Sequence, residues 1–280
     1  MLLRELLEGL EYEVISGTDD AEVTGICDDS RFAAKGNVFI CIEGTVTDGH
    51  LYAADAVEKG CNSLIIQKKL PKNVPSFVNI IKTKDTRKAL ANAACIFYGK
   101  PFEKFKLVGV TGTKGKTTTV YMLRYMFEAA RVRYGIIGTI SNIVNHIVRK
   151  TGRTTPESLQ LQKTFYEMTT EDTEYVAMEV SSQGLMMNRV YGTRFDIGIF
   201  TNISRAHIGP KEHSDFEDYL MNKIKLFSMC NIGLVNIDDP CAEKVIQGAK
   251  CKVYTFGVEK KADFYGDNIV KYYDKVEFDF

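Results

Sequence analysis

The chain has 280 residues, enough for two domains, and its 45% hydrophobic and 26% charged residues are typical of an ordinary globular protein. Lys+Arg and Asp+Glu balance at 36 each, so no global field attracts nucleic acid or an anionic membrane. No apolar run approaches the roughly 20 residues of a membrane span. The seven cysteines form no C-x-x-C pair, which indicates reduced thiols in a cytoplasmic protein.

Residues 1–100 are predicted to form a small α/β domain that begins with a short amphipathic helix. Strands are expected at Glu22–Cys27, Val38–Ile42, Ser63–Gln67 and Phe77–Lys82, and helices at Leu51–Lys59 and Asp85–Tyr98. Two polar clusters, Asp28–Arg31 and Gly44–His50, flank the second of these strands. Each cluster alone is typical of a turn, but together they could line one ligand-binding edge.

From Phe105 onward strands alternate with helices, which predicts a mostly parallel sheet with crossover helices in a second domain, residues 101–280. Strands are expected at Lys106–Thr111, Gly135–Ile140, Glu174–Val180, Phe195–Thr201, Ile232–Ile237 and Lys252–Phe256. Helices are expected at Lys116–Ala130, Pro156–Met168, Phe216–Met229 and Pro240–Gly248. Ligands of such sheets bind beyond the carboxyl ends of the strands, so functional residues are expected directly after strands.

The stretch Thr111-Gly-Thr-Lys-Gly-Lys-Thr-Thr118 joins the first strand of the second domain to a helix. Its glycines let backbone N–H groups close on phosphate oxygens, and the helix N-terminus adds partial positive charge. Lys116 can reach terminal phosphates, and the Thr117 hydroxyl can bind Mg²⁺. Val110 replaces a glycine of the strict phosphate-loop pattern, but an ordinary βα turn does not require Lys-Thr at the helix start. The stretch therefore predicts an ATP site.

Two further segments carry polar residues after strands. Thr155 precedes Pro156, which predicts a helix N-cap, and the neighbouring Arg153 adds an anion-binding alternative. Glu179 is expected near the end of a buried strand, where an unpaired carboxylate is costly. It therefore needs a cation, either Mg²⁺ held together with Thr117 or a salt-bridge partner.

Two basic residues have both a functional and an ordinary interpretation. His207 ends the run Phe200–His207 and is either a metal ligand or a hydrogen-bonded histidine. Lys223 lies beside the apolar stripe of its helix, whereas Lys225 points elsewhere. A lysine at the edge of an apolar face ordinarily extends to solvent, and spacing alone does not promote Lys223 above that.

The order of these motifs resembles the Mur ligase family, most closely its MurE branch. The motifs are T-G-T-x-G-K-T-T, T-T-P, E-V-S-S, N-R-V-x-G-x-x-F-D, F-T-N-x-S-R-x-H and K-x-x-L-F, together with Asp29-Ser-Arg31 and Asp48-Gly-His50. The resemblance implies an N-terminal UDP-sugar-binding domain and an incomplete central ATPase domain. It also implies a ligase that uses ATP and Mg²⁺ to add L-lysine or meso-diaminopimelate to UDP-N-acetylmuramoyl-L-alanyl-D-glutamate, through an acyl phosphate.

The resemblance assigns roles to individual residues. ATP and one Mg²⁺ would be held by Gly112, Thr113, Lys114, Gly115, Lys116, Thr117 and Thr118. Metal would be bound by Thr117, Glu179, His207 and Lys223, the last as a carbamate, and catalysis would depend on Lys116, Glu179, His207 and Lys223. The UDP-sugar-peptide would be held by Ser30, Thr154, Thr155, Ser181 and Arg189.

Several positions depart from the pattern of the resembled family. Ala206 replaces the usual Asp before His207, Ile208–His213 is a variant loop, and Lys114 stands where Asn is usual. The family's C-terminal domain has no counterpart here, and the chain stops in a predicted strand, Lys275–Phe280, so we expect a fragment of a longer ligase. A non-catalytic paralogue remains open, as does folylpolyglutamate or cyanophycin synthetase, although the N-terminal clusters and T-T-P argue against these synthetases.

Overall fold

A computed structural model describes residues 1–44, 47–70, 74–210 and 212–280. The chain divides into two compact units. The first comprises Met1–Pro101, Glu157–Tyr166 and Met187–Gly192, and the second comprises Phe102–Pro156, Glu167–Met186 and Thr193–Phe280. Parts of the Gly44–His50 cluster and of the Ile208–His213 loop lie outside the described residues. In the described ranges no helix is both long and apolar enough to cross a membrane.

The first unit is a small α/β fold. Its elements are α1 (Leu3–Leu6), β1 (Tyr12–Ser16), β2 (Gly25–Cys27), β3 (Asn37–Ile40), α2 (Ala53–Glu58), β4 (Ser63–Ile66), β5 (Asn79–Thr83) and α3 (Thr86–Phe97). The sheet order is β1-β5-β4-β3-β2, in which β2 to β5 are parallel and β1 is antiparallel. The expected elements are confirmed with shorter bounds. Strand β1 was not predicted, and its three central residues are exposed.

Successive side chains of β3 and β4 contribute to different apolar clusters, so the core of the first unit lies on both faces of the sheet. One apolar cluster contains Val38, Ile40 and Ile65, and the other contains Phe39, Leu64 and Ile66. Successive strand side chains point to opposite faces, so a parallel strand covered on both faces reads as a continuous apolar run. This explains why Ser63–Ile66 is buried at every position.

The second unit contains a nine-stranded sheet. Helix α5 (Ser158–Thr170) contributes its last residues to this unit and its first to the other. The other elements are β6 (Lys106–Thr111), α4 (Lys116–Ala130), β7 (Tyr134–Ile137), β8 (Asn142–Val144), β9 (Ile147–Arg149), β10 (Tyr175–Glu179), α6 (Ser182–Met186), β11 (Phe195–Phe200), α7 (Phe216–Ile224), β12 (Cys230–Asn236), α8 (Ala242–Gly248), β13 (Lys252–Gly257), β14 (Phe264–Tyr265), β15 (Asp267–Lys271) and β16 (Val276–Asp279).

The sheet of the second unit has the order β14-β13-β12-β11-β6-β10-β7-β8-β9. It is parallel from β14 to β7, which confirms the predicted mostly parallel sheet, and the hairpin β8–β9 extends it antiparallel. Strand β6 lies between β10 and β11, with Glu179 opposite Val110 and Phe200 opposite Thr111. The loops after these three strands therefore meet at one edge.

Three predicted helix bounds in the second domain are wrong, and one of these is the start of α8, which lies at Ala242 rather than Pro240. Helix α5 begins at Ser158 rather than Pro156, so Thr155 is too far upstream to be its N-cap. Helix α7 ends at Ile224 and continues as a 3-10 turn, Lys225–Ser228. The strand predicted near Phe280 is confirmed, but β16 pairs only with β15 in a separate two-stranded sheet.

Candidate active site

The glycine loop after β6 closes on its own lysine. Lys116 Nζ donates to the carbonyl oxygens of Gly112 at 2.8 Å and Thr113 at 3.2 Å. Burial lowers the pKa of Lys116, and the charge of Glu179 opposes that shift. The backbone of Gly112 has φ +155° and that of Gly115 has φ +85°, conformations that favour glycine. These contacts fold the Lys116 side chain back over the loop. Its amine thus lies beside the N-terminus of α4, where a phosphate would bind.

Thr201 and Asn202, which follow β11, hold the glycine loop by hydrogen bonds. Thr113 N–H donates to the Asn202 carbonyl at 2.8 Å, and Lys114 N–H donates to Asn202 Oδ1 at 3.0 Å. The Thr201 hydroxyl donates to the Lys114 carbonyl at 2.7 Å. A Cβ at Gly112 would lie 2.0 Å from Thr201 Oγ1, so a side chain there would collide with this support. The side chains of Lys114 and Thr118 are exposed.

Glu179 ends β10 beside the helix start. Its Oε2 accepts the Thr117 hydroxyl at 2.9 Å and the Thr139 hydroxyl at 3.2 Å, while Oε1 accepts the Thr139 backbone N–H at 2.8 Å. These donors are neutral, whereas sequence reasoning expected a cation beside this buried carboxylate. Several hydrogen bonds offset the desolvation of a charge without an ion pair. The pairing of Thr117 with Glu179 places two oxygen ligands side by side at the phosphate loop.

The predicted substrate threonines and Ser181 form a hydroxyl network next to Glu179. Thr155 Oγ1 donates to the Glu179 carbonyl at 2.9 Å and accepts the Ser181 backbone N–H at 2.9 Å. Thr154 Oγ1 lies 2.9 Å from Thr139 Oγ1. Ser181 Oγ accepts the Gly184 N–H at 3.0 Å, at the beginning of α6. Thr155 therefore links its own loop to the segment that follows β10.

Lys223 is buried beneath the glycine loop. Its side chain is 1% exposed, and Nζ donates to the Gly112 carbonyl at 2.8 Å, the same oxygen that Lys116 uses. Nζ also lies 4.5 Å from the centre of the Tyr219 ring. Burial lowers the pKa of Lys223 to about 6, and the nearby Lys116 charge adds to the shift. The expectation that Lys223 extends to solvent is wrong, because the apolar stripe of α7 faces the loop.

The two histidines of the segment before α7 differ in environment. The His207 side chain is 52% exposed, its Nδ1 is 3.1 Å from Glu212 Oε1, and its backbone has φ +57°. His213 is fully buried with Nδ1 3.1 Å from Asp218 Oδ2. Both rings lie near Tyr219, at 5.9 Å and 5.1 Å between ring centres. His213 is the more constrained of the two, although sequence reasoning singled out His207.

Ser30 and Arg189, the two remaining predicted substrate residues, belong to the first unit. Ser30 begins a 3-10 turn whose N-cap, Asp29, accepts the Arg31 N–H at 2.9 Å. Arg189 is buried, and its Nη2 lies 2.9 Å from Glu157 Oε1. Ser30 thus lies in a turn and Arg189 in an ion pair, both within the first unit.

The donors around the loop fit one magnesium ion. Mg²⁺ is ordinarily bound by one or two protein oxygens together with substrate phosphates, and Thr117 and Glu179 provide such a pair. Across residues 1–44, 47–70, 74–210 and 212–280, no three His, Cys, Asp or Glu side chains gather as a metal site. Lys223 would become an oxygen ligand only after carbamate formation, for which the amine must be neutral.

Comparison with known families accounts for both units. The model described as "Mur ligase middle domain" matches residues 110–280, and that described as "Mur ligase family, catalytic domain" matches residues 22–98. The chain belongs to the Mur ligase family. A relative in Clostridium perfringens, named UDP-N-acetylmuramoyl-L-alanyl-D-glutamate–2,6-diaminopimelate ligase, is 41% identical over 99% of this chain. The chain spans 58% of that relative's length.

Solved Mur ligase structures share the fold. A structure of a UDP-N-acetylmuramoyl-L-alanyl-D-glutamate–2,6-diaminopimelate ligase gives a TM-score of 0.82 at 23% identity, covering 99% of this chain and 57% of that one. A MurF ligase from Thermotoga maritima in complex with ADP gives 0.57 at 18% identity, covering 92% of this chain and 56% of that one. The predicted α/β fold class is therefore confirmed at the level of the Mur ligase family.

Three residues that contact the candidate site were missed by sequence reasoning. Thr139 holds the Glu179 carboxylate, Asn202 holds the glycine loop, and Tyr219 contacts both the loop and Lys223. Asn202 lies two residues after the end of β11, so its strand-end position was the available signal, whereas Thr139 fell inside the predicted strand Gly135–Ile140 and gave no such signal. Tyr219 is on the same helix face as Lys223, four residues away, and that spacing was its signal.

Proposed function

We propose that this chain is part of an ATP-dependent acid–amino-acid ligase that acts in peptidoglycan precursor synthesis. The proposed reaction adds meso-diaminopimelate to UDP-N-acetylmuramoyl-L-alanyl-D-glutamate, with L-lysine as the alternative amino acid. The observation that supports it best is the loop from Gly112 to Thr118, whose lysine and Thr117–Glu179 pair fit Mg-ATP. The name of a relative 41% identical over 99% of the chain supplies the substrate.

ATP would bind through groups that the structure already places together. The loop N–H groups and the α4 N-terminus would receive the phosphates. Lys116 Nζ, now 2.8 Å from the Gly112 carbonyl, would exchange that neutral acceptor for a phosphate oxygen. Mg²⁺ would use the Thr117 hydroxyl and the Glu179 carboxylate, and when bound it would neutralise phosphate charge.

The substrate carboxylate would attack the γ-phosphorus of ATP and release ADP, and the amine of the incoming amino acid would then displace phosphate from the acyl phosphate. Thr154, Thr155 and Ser181 lie beside Glu179 and would hold the UDP-muramoyl peptide on that side of the loop. Ser30 and Arg189 of the first unit would provide further substrate contacts. Arg189 suits a carboxylate or phosphate, because its planar guanidinium donates paired hydrogen bonds.

Lys223 would act after addition of CO₂. The nitrogen lone pair forms a bond to the carbon of CO₂, one N–H proton leaves to solvent, and a carbamate anion results. Only the neutral amine can react, and burial that lowers the Lys223 pKa to about 6 keeps most of the amine neutral near pH 7.5. The carbamate would supply oxygen to a second Mg²⁺.

The test separates nucleotide binding from ligation. Calorimetry with residues 1–280 is expected to show Mg-ATP binding, which Lys116→Ala weakens at least about tenfold and the exposed-lysine variant Lys225→Ala preserves. The product of the complete gene is then assayed by mass spectrometry with UDP-muramoyl dipeptide, ATP, Mg²⁺ and either diamino acid. A diaminopimelate-containing tripeptide is the expected product. Nucleotide binding without amide formation from either amino acid would instead favour a non-catalytic Mur-type protein.

A further inference from the structure

Tyr219 contacts several parts of the site but has no role in the function proposed above. It lies on α7 and is 0% exposed. Its hydroxyl is 3.0 Å from Thr113 Oγ1, and the Lys223 amine lies 4.5 Å from the centre of its ring. The buried ring of His213 packs on it at 5.1 Å between ring centres. One side chain thus contacts the glycine loop, the buried lysine and a histidine.

The hydroxyl of Tyr219 completes the hydrogen bonding of Thr113. A threonine hydroxyl can donate one hydrogen bond and accept two. Thr113 Oγ1 accepts the Ser204 N–H at 2.9 Å and is positioned to donate to the Ser204 carbonyl at 3.3 Å. In the contact between Thr113 and Tyr219 either hydroxyl can donate, and when Thr113 donates to the Ser204 carbonyl the Tyr219 hydroxyl donates to Thr113. With all three bonds made, the Thr113 side chain has one orientation.

The ring of Tyr219 acts on the preceding loop residue through Lys223. The Lys223 amine lies against the ring and donates to the Gly112 carbonyl at 2.8 Å. An aromatic face is a weak acceptor for N–H groups, so the ring favours the position from which the amine reaches that carbonyl. Tyr219 thus contacts Thr113 through its hydroxyl and acts on the preceding residue, Gly112, through the Lys223 amine on its ring.

We propose that Tyr219 is a positioning residue of the ATP site, holding Thr113 through its hydroxyl and Gly112 through the Lys223 amine that rests on its ring. This inference depends on the proposed ATP site. Its consequence is that the glycine loop has its phosphate-binding shape before the nucleotide arrives, and binding need not order it. Loss of the hydroxyl alone should weaken nucleotide binding although Tyr219 need not touch the nucleotide.

The test compares Tyr219→Phe with Tyr134→Phe. Tyr134 is also buried and its hydroxyl also makes a hydrogen bond, to Glu128, but it lies on β7 away from the loop contacts. Calorimetry is expected to show Mg-ATP binding weakened about threefold to tenfold in Tyr219→Phe, the range for one net hydrogen bond, and unchanged in Tyr134→Phe. Hydrogen exchange of the ligand-free peptide 108–119 should become faster only in Tyr219→Phe.

A double-mutant cycle with Thr113→Val tests the route of the effect. If Tyr219 acts through Thr113, the double variant should bind Mg-ATP about as weakly as the weaker single variant. Additive losses, or a Tyr219→Phe affinity and loop exchange equal to the parent, would overturn the inference. Failure of the parent chain to bind Mg-ATP would instead refute the proposed function. In that case hydrogen exchange still tests this inference, and an unchanged exchange rate of the loop in Tyr219→Phe would overturn it.

Discussion

The buried Lys223 makes a quantitative prediction about stability and pH. Its folded pKa of about 6 lies below the ordinary value of 10.5, because burial disfavours the ammonium ion. Between these values the unfolded state binds more protons than the folded state, so stability rises with pH at about 1.4 kcal/mol per pH unit. At pH 7.5 the folded chain is thus less stable by about 4 kcal/mol than it would be with an unshifted lysine.

The substitution Lys223→Met removes this cost and keeps a side chain of similar length in the apolar surroundings. It also removes the hydrogen bond to the Gly112 carbonyl, a loss of about 1 kcal/mol. The variant should therefore be more stable than the parent by about 3 kcal/mol at pH 7.5, and the difference should fall close to zero by about pH 9.5. Lys250→Met, at an exposed lysine of the same unit, should change stability little at either pH.

The assay is urea unfolding in carbon dioxide-free buffer, so that Lys223 remains an amine. Hydrogen exchange of peptides from β6 and β10 follows the second unit alone, which avoids assuming that both units unfold together. The decisive quantity is the difference in free energy of unfolding between parent and variant as a function of pH. A difference that stays constant between pH 7.5 and 9.5 would refute the reasoning that burial depresses the Lys223 pKa.

Three further substitutions test other parts of the site. Lys116→Ala should weaken Mg-ATP binding at least about tenfold, as loss of a charged hydrogen bond predicts, and unchanged calorimetric affinity in a folded variant would contradict it. Gly112→Ala should lower the free energy of unfolding by about 2–3 kcal/mol, since its Cβ would lie 2.0 Å from Thr201 Oγ1; an unchanged melting temperature would show that the loop adapts. Thr155→Val should cost about 1–3 kcal/mol by leaving buried partners unsatisfied, measured by urea unfolding, and equal stability would exclude that structural role.

The parts of the site that are local in sequence could be predicted from it. The strand, the glycine loop and the helix start follow one another between Lys106 and Lys116, so pattern and chemistry coincide within one segment. Glu179 was also within reach of prediction, because parallel strands bring their carboxyl ends to one edge of a sheet. The hydrogen bond from the Thr139 backbone N–H to Glu179 could not be predicted, because it depends on the conformation of the loop after β7.

Lys223 and His207 show the other limit of prediction from the sequence. Helical spacing places Lys223 at the border of an apolar stripe, but it does not say what covers that stripe. In the structure the glycine loop covers it, and the lysine is 1% exposed. His207 has the opposite outcome, with a side chain 52% exposed, because its loop conformation depends on contacts with residues such as Glu212. The burial of Lys223 depends on a contact 111 residues away in the chain, and the exposure of His207 depends on the path of its loop; helical or strand periodicity encodes neither.

The shared carbonyl of Gly112 explains how two lysines can lie at one phosphate loop. Two ammonium ions donating to one oxygen would repel each other, and the more deeply buried one should lose its proton first. Lys223 is the deeper, and its pKa falls to about 6, whereas Lys116 faces the helix N-terminus and is opposed in its shift by Glu179. Near neutral pH most of Lys223 is therefore the neutral amine, whose lone pair can react. The Glu179 charge favours the protonated form of Lys116, at the position where a phosphate would bind.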